Sequence, residues 1–253
     1  MKPSNTSSWA IRITIISISL FVWVLLLINP GNIMTIEHCH VTVSGPPANS
    51  LSMLLDMNPF IPQLFGWGLM VIAMMLPKLI PAIMSIYVHS FKRYRFLYAF
   101  LFVLGYLSIW MIAGVFMVAV ILGLNFLMPL SYIPAIGTFI IAIVWEFSPI
   151  KQRFLNLGHD HRILPAFGWP ASRDSLLYGF RHGMWCVGSG WALMLFPMLL
   201  PKMHNLAMIM VTFIMISEHM EHPRFPKWRF HLRFKLLRIL IAQTKIKLKL
   251  QVN

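Results

Sequence analysis

Acid is scarce in this sequence: seven Asp and Glu stand against 21 Lys and Arg in 253 residues, and charged residues of all kinds make up 11%. An ordinary soluble domain carries roughly a quarter charged residues, so the chain is not built for water on all sides. Disorder is excluded as well, because 58% of the residues are hydrophobic, and low hydrophobicity is what keeps such chains unfolded. Cysteine occurs only as Cys39 and Cys186. One lies in an expected outer loop and the other in an expected span, too far apart for a disulfide, whose alpha carbons must come within about 7 Å. A Gly-rich phosphate loop, a nucleophile elbow and an HExxH pair are all missing, so no enzyme is expected.

What is present is long apolar blocks, with a mean hydropathy of +0.73. A spanning helix needs about 20 mostly apolar residues. Six stretches are candidates, the fourth and sixth of them short: Ile11–Ile28, Leu64–Val88, Phe96–Leu122, Ile133–Phe147, Leu176–Leu200 and Met203–Ser217. The first could instead be a secretory signal with Lys2 and Arg12 as its basic end, but no small-x-small cleavage site follows Pro30 closely. The stretch between the first two spans has no Lys or Arg and carries Glu37 and Asp56. Lys92, Arg93 and Arg95 fall after the second span, and Lys151, Arg153, Arg162 and Arg173 after the fourth. Positive loops stay inside, which puts both termini in the cytoplasm of a multi-pass inner (plasma) membrane protein. The expected fold is therefore all-α, a polytopic helical bundle over residues 1–221 with a basic cytoplasmic tail at 222–253. Tyr87, Tyr98, Trp145 and Tyr178 sit near span ends as interfacial anchors would. Gly179 and Gly183, then Cys186 and Gly190, allow the fifth span to pack closely on a neighbour.

A duplication runs through the chain. Gly66-Trp67-Gly68-Leu69-Met70 returns as Gly190-Trp191-Ala192-Leu193-Met194, and Met74, Leu76, Pro77 and Lys78 match Met198, Leu200, Pro201 and Lys202. The copies, 66–78 and 190–202, run oppositely through the membrane on this topology, which would make a 3+3 inverted repeat of the kind transporters use. Pro77 and Pro81 break the helix of the first copy and free the carbonyls of Ala73 and Pro77. In a bilayer those carbonyls need a partner. Lys78 beside them either serves a function or snorkels to an interface.

Soft donors are concentrated in the same regions. Met70 and Met74 share a helical face, as do Met194 and Met198, and two thioether pairs suit Cu(I). The alternative is that these methionines simply pack apolar helices. His182 and Cys186 are likewise one turn apart and make a half-site for copper or zinc. Glu218-His219-Met220-Glu221-His222 closes the sixth span, with Glu218 and His222 on one face and His204 at the opposite end of the span. It suits a borderline cation or a proton relay, or else is a solvated helix end. His38-Cys39-His40 and His159-Asp160-His161 are weaker candidates for metal capture.

Nine of the 21 basic residues follow Glu221, where there is no acid. Basic and apolar residues alternate from Trp228 to Leu236 and from Lys245 to Leu250, a period-two pattern that reads as strand. Such a tail is drawn to anionic lipid, or adds a strand to a partner's sheet edge. No nucleic-acid recognition fold accompanies the charge.

Three stretches together, Met70-Val-Ile-Ala-Met-Met-Leu-Pro77, Trp145-Glu-Phe-Ser-Pro-Ile-Lys151 and Gly179-Phe-Arg-His-Gly-Met-Trp-Cys-Val-Gly-Ser-Gly-Trp-Ala-Leu-Met194, closing at Glu218, resemble a bacterial family of uncharacterised, predicted metal-binding integral membrane proteins. The family pattern has further cysteines where this chain has Phe154, Gly158, Ser189 and Gly190, so only Cys186 remains. The resemblance implies a membrane protein that binds or moves a soft metal, most simply Cu(I). The candidate ligands are Met70, Met74, His182, Cys186, Met194, Met198 and Glu218. The missing cysteines imply a second option, an accessory or assembly subunit of a larger membrane complex such as a copper oxidase or monooxygenase, with metal binding lost.

Overall fold

The computed structural model describes residues 5–28, 60–128, 131–159, 165, 168–200, 203–228 and 235–252, and every regular element among them is helical. In chain order they are α1 (Asn5–Ile28), α2 (Phe60–Met75), a 3-10 turn (Leu76–Leu79), α3 (Ile80–His89), α4 (Arg95–Leu127), α5 (Ile133–Glu146), α6 (Pro149–Gly158), α7 (Gly168–Met198), α8 (His204–His219) and α9 (Lys235–Val252). The His38-Cys39-His40 cluster, Asp160, His161, Pro201 and Lys202 lie outside the described residues.

Among the described residues, three helical segments are long and apolar enough to cross a membrane: Trp9–Ile28, Phe60–His89 and Arg95–Leu127. Ile133–Glu146 with Pro149–Gly158 makes a fourth if that pair, bent by 68°, counts as one span. α8 has only 16 residues. α7 is long enough, but its Arg, His, Gly and Ser residues dilute its apolar character. Large apolar side chains such as Phe21, Phe116 and Ile140 point outward, a surface that water does not favour.

α4 and α7 share the most extensive helix contact, and small residues create it. A Cβ on Gly179 would stand 2.1 Å from the Phe102 carbonyl oxygen, and one on Gly105 would stand 2.5 Å from that of Leu176. The two backbones thus touch where side chains normally intervene, as the small-residue spacing on α7 leads one to expect. Gly179→Ala should therefore force the helices apart at a cost of about 1–3 kcal/mol. A lowered thermal unfolding midpoint in detergent is the expected readout, and an unchanged one would contradict this packing.

Pro77 ends α2, and the chain passes through the 3-10 turn before α3 resumes. The freed Ala73 carbonyl accepts a hydrogen bond from the Ser19 hydroxyl of α1 at 2.6 Å. The Pro77 carbonyl accepts from the Ile80 amide. Both carbonyls are thus satisfied by protein, as a water-free setting demands.

Two expectations change. Tyr98 and Tyr178 are buried inside the bundle, not placed at an interface; Tyr178 packs against Phe102 at 4.9 Å. The Lys245–Leu250 alternation lies within helix α9, not in a strand. Leu236, Leu237, Leu240 and Ile241 carry helical spacing into that segment, and a lone period-two stretch has no partner ladder to hold it extended. α9 docks on the end of α8 through the Leu236 amide, which donates to the Ser217 hydroxyl at 3.1 Å.

Candidate metal centre

His182, Cys186 and Ser189 recur at helical spacing, so α7 presents them on one face. They line a cavity of about 20 Å³ whose other walls include Lys78 of the 3-10 turn, Tyr106 of α4, Phe154 and Gly158 of α6, and His219 of α8. A space of that size takes one water-sized or ion-sized occupant.

The Cys186 sulfur accepts hydrogen bonds from two helices. Tyr106 donates its hydroxyl at 3.1 Å, and Lys78 its ammonium at 3.6 Å. Lys78 is 6% exposed and so does not snorkel; it is spent on the cavity. The His182 ring, 5% exposed, stands among the rings of Phe102, Tyr106 and Tyr178. His219 meets it edge-on at 6.3 Å.

Phe154, Gly158 and Ser189, three of the four positions at which the family pattern resembled by the sequence has cysteine, line this same cavity. The resemblance and the geometry thus converge on one place. Phe154 fills part of it with a ring that packs against Trp185 at 6.0 Å, and Ser189 turns its hydroxyl to the Cys186 carbonyl at 3.0 Å.

Beside the cavity lies a charged knot. Lys151, fully buried, pairs with Glu218 at 2.7 Å and with Glu146. It joins the end of α5, the first turns of α6 and the end of α8. The sequence produces it locally: Ser148 caps α6 by accepting from the Ile150 amide at 3.1 Å, and Pro149 suits the first helical position. α6 therefore leaves α5 at a bend of 68° and packs on α7, with Lys151 buried and not in solvent. Its far end is held by Asn156, which donates to the Arg224 carbonyl at 2.6 Å and accepts from the Arg224 amide at 3.1 Å.

The remaining candidates sit elsewhere. Glu218 belongs to the charged knot and does not line the Cys186 cavity. Met70 and Met74 are buried on α2 and Met194 and Met198 on α7. None of the four lines the cavity, and α2 and α7 each pack on α4 with at most marginal contact between themselves. His204 donates from Nδ1 to the Pro197 carbonyl at 2.7 Å, while its buried Nε2 has no partner among the described residues. Among the described residues no group of three or more His, Cys, Asp or Glu is arranged to hold a metal ion. Sequence reasoning passed over Tyr106, Glu146 and Lys151 as site residues. Glu146 and Lys151 were nonetheless visible in the Trp-Glu-Phe-Ser-Pro-Ile-Lys stretch, where Lys151 counted only as loop charge.

A family model described as "PpoB2: Copper chaperone" matches residues 64–229, which includes every element lining the cavity. No curated protein and no solved structure matches the chain.

Proposed function

The chain belongs to this copper chaperone family, and from that premise we propose that it is a membrane-embedded carrier of Cu(I). The cargo enters the cavity lined by α6, where the Cys186 sulfur and the imidazoles of His182 and His219 would have to close on it, since they are not pre-arranged as a three-ligand site. One observation carries the reading: a single soft sulfur and two imidazoles open onto a space sized for one ion. Sulfur and imidazole are donors that Cu(I) accepts. The Lys78 ammonium beside the sulfur opposes a second cation by charge repulsion. A carrier that must release its cargo gains from such moderated affinity.

In this reading the protein crosses the bacterial inner membrane six times, with both termini cytoplasmic, and its two tryptophan-bearing copies form an inverted repeat. α9 lies on anionic lipid, each basic residue contributing about 1 kcal/mol, and the metal passes to a membrane-protein partner. No catalysis is assigned to it.

The test is X-ray absorption at the copper edge on purified protein loaded with Cu(I) under reducing conditions. One equivalent with mixed sulfur and nitrogen scattering is expected. Sulfur scattering alone, lost in a Met70/Met74/Met194/Met198 quadruple replacement, would move the site to the methionines. A second reading, an accessory subunit that has lost metal binding, is favoured by Phe154 standing where a ligand would be. It would follow from a protein that retains no copper.

A further inference from the structure

Two soft-donor motifs stay outside the Cys186 cavity: the Met194 and Met198 pair on α7, and the histidine that opens α8. They come together where α7 passes into α8. Met203 has a left-handed φ of 61°, and after it His204 folds back over the end of α7. Its Nδ1 reaches the Pro197 carbonyl oxygen at 2.7 Å. A carbonyl only accepts, so this nitrogen carries the N–H, and in the neutral ring Nε2 keeps a bare lone pair. Nε2 is buried and has no partner among the described residues, and the residue as a whole is 7% exposed.

An unmatched buried acceptor costs stability that an apolar ring of similar shape would not. Histidine is therefore poor packing material at this position. It is well prepared as a ligand, because a backbone carbonyl on one ring nitrogen fixes the tautomer and leaves the other nitrogen free for a metal.

The donors around it are thioethers. α7 and α8 run antiparallel, with their register set by two contacts. One is the bond from His204 to Pro197. The other is at Gly190, where a Cβ would stand 2.2 Å from the Met215 Cε. Buried positions in this stretch include Met194 and Met198 on α7 and Met208 on α8. Met198 directly follows Pro197, and Met208 lies one turn from His204 on the same helical face. α8 carries no acid before Glu218, at its other end, and α7 carries none after Asp174.

We propose that His204 Nε2 and the thioether sulfurs of Met198 and Met208 form a second site for a soft monovalent cation, Cu(I). The choice of copper rests on the family reading above, but the site shares no residue with the Cys186 cavity. His204 and His219, which lines that cavity, open and close α8, about 22 Å apart along a helix rising 1.5 Å per residue. Imidazole and thioether are neutral, soft-to-borderline donors that Cu(I) accepts. A divalent ion would bring a second charge into a buried place that has no carboxylate to offset it.

The experiment titrates the full chain in detergent with Cu(I) under reducing conditions, in competition with bicinchoninate. Wild-type protein is expected to take up a second, weaker equivalent after the first. His204→Phe should weaken that second equivalent at least tenfold while leaving the first within twofold, and should melt no lower than the wild type, because it removes the orphaned acceptor. Met198→Leu combined with Met208→Leu should act in the same direction, which keeps the test open if His204→Phe folds poorly. In Cys186→Ser protein the weaker equivalent should remain, with nitrogen and thioether scattering at the copper edge. A wild-type protein that stops at one equivalent would overturn this site and leave the Cys186 reading standing, as would a second equivalent undiminished in folded His204→Phe protein. Copper held in a manner that His204→Phe abolishes and Cys186→Ser leaves untouched would do the reverse. A protein that binds no Cu(I) would overturn both.

Discussion

Lys151→Met is expected to destabilise the folded protein by about 3–5 kcal/mol, the usual consequence of stripping one partner from a buried charge cluster. Lys151 has no solvent exposure, and its ammonium faces the carboxylates of both Glu146 and Glu218. Removing it takes away the cation that buried Glu218 and part-buried Glu146 share. The effect should exceed that of an ordinary core change, because three helix ends, of α5, α6 and α8, are tied through this one nitrogen. Thermal unfolding in detergent should show a clear drop in midpoint and a smaller folded yield. The triple variant Lys151→Met, Glu146→Gln, Glu218→Gln should recover most of the loss, since it removes the charges together. If Lys151→Met melts with the wild type, the knot does not hold α6 in place.

Cys186→Ser should lower the affinity for Cu(I) by more than about 100-fold, because losing a direct ligand costs more than the 10–100-fold typical of an outer partner. A hydroxyl is a hard donor where copper(I) wants a soft one. Gain-of-function partners make the test two-sided. Ser189→Cys places a second sulfur on the same face of α7 and in the same cavity, and should tighten binding at least about tenfold. Lys78→Met removes a positive charge from beside the sulfur and should also tighten it, since like charges about 4 Å apart repel by roughly 4 kcal/mol at an effective dielectric of 20. Competition with a chelator of known affinity measures all three. Unchanged binding in Cys186→Ser would place the copper elsewhere, and weaker binding in Lys78→Met would make the lysine a support of the site, not a brake on it.

Much of this architecture was legible along the chain. Long apolar blocks announced the membrane-length helices, because the hydropathy of a helix is summed over its own residues. Pro77 announced the break in the second, because a missing amide acts on the carbonyl four residues back. Gly179 and Gly183 announced a close helix contact, and the spacing of His182 and Cys186 announced that they share a cavity wall, because a turn of helix fixes which side chains share a face. The tail misled, since alternation over a few residues states a period without supplying the second strand a ladder needs.

The partners of those local signals were decided only in three dimensions. Nothing near Cys186 in sequence points to Lys78, 108 residues away, or to Tyr106, 80 residues away, as its donors. Lys151 read as a loop charge because its neighbours in sequence are basic and polar; the 68° turn between α5 and α6 is what swings it onto two carboxylates. His159 and His219 each looked like a helix end, and they become a stacked pair because the ends of α6 and α8 meet. A sequence determines each helix and the face it offers, through contacts within a turn or two. Which faces meet depends on crossing angles and close approaches set by the whole bundle, and the candidate copper site is made of those meetings.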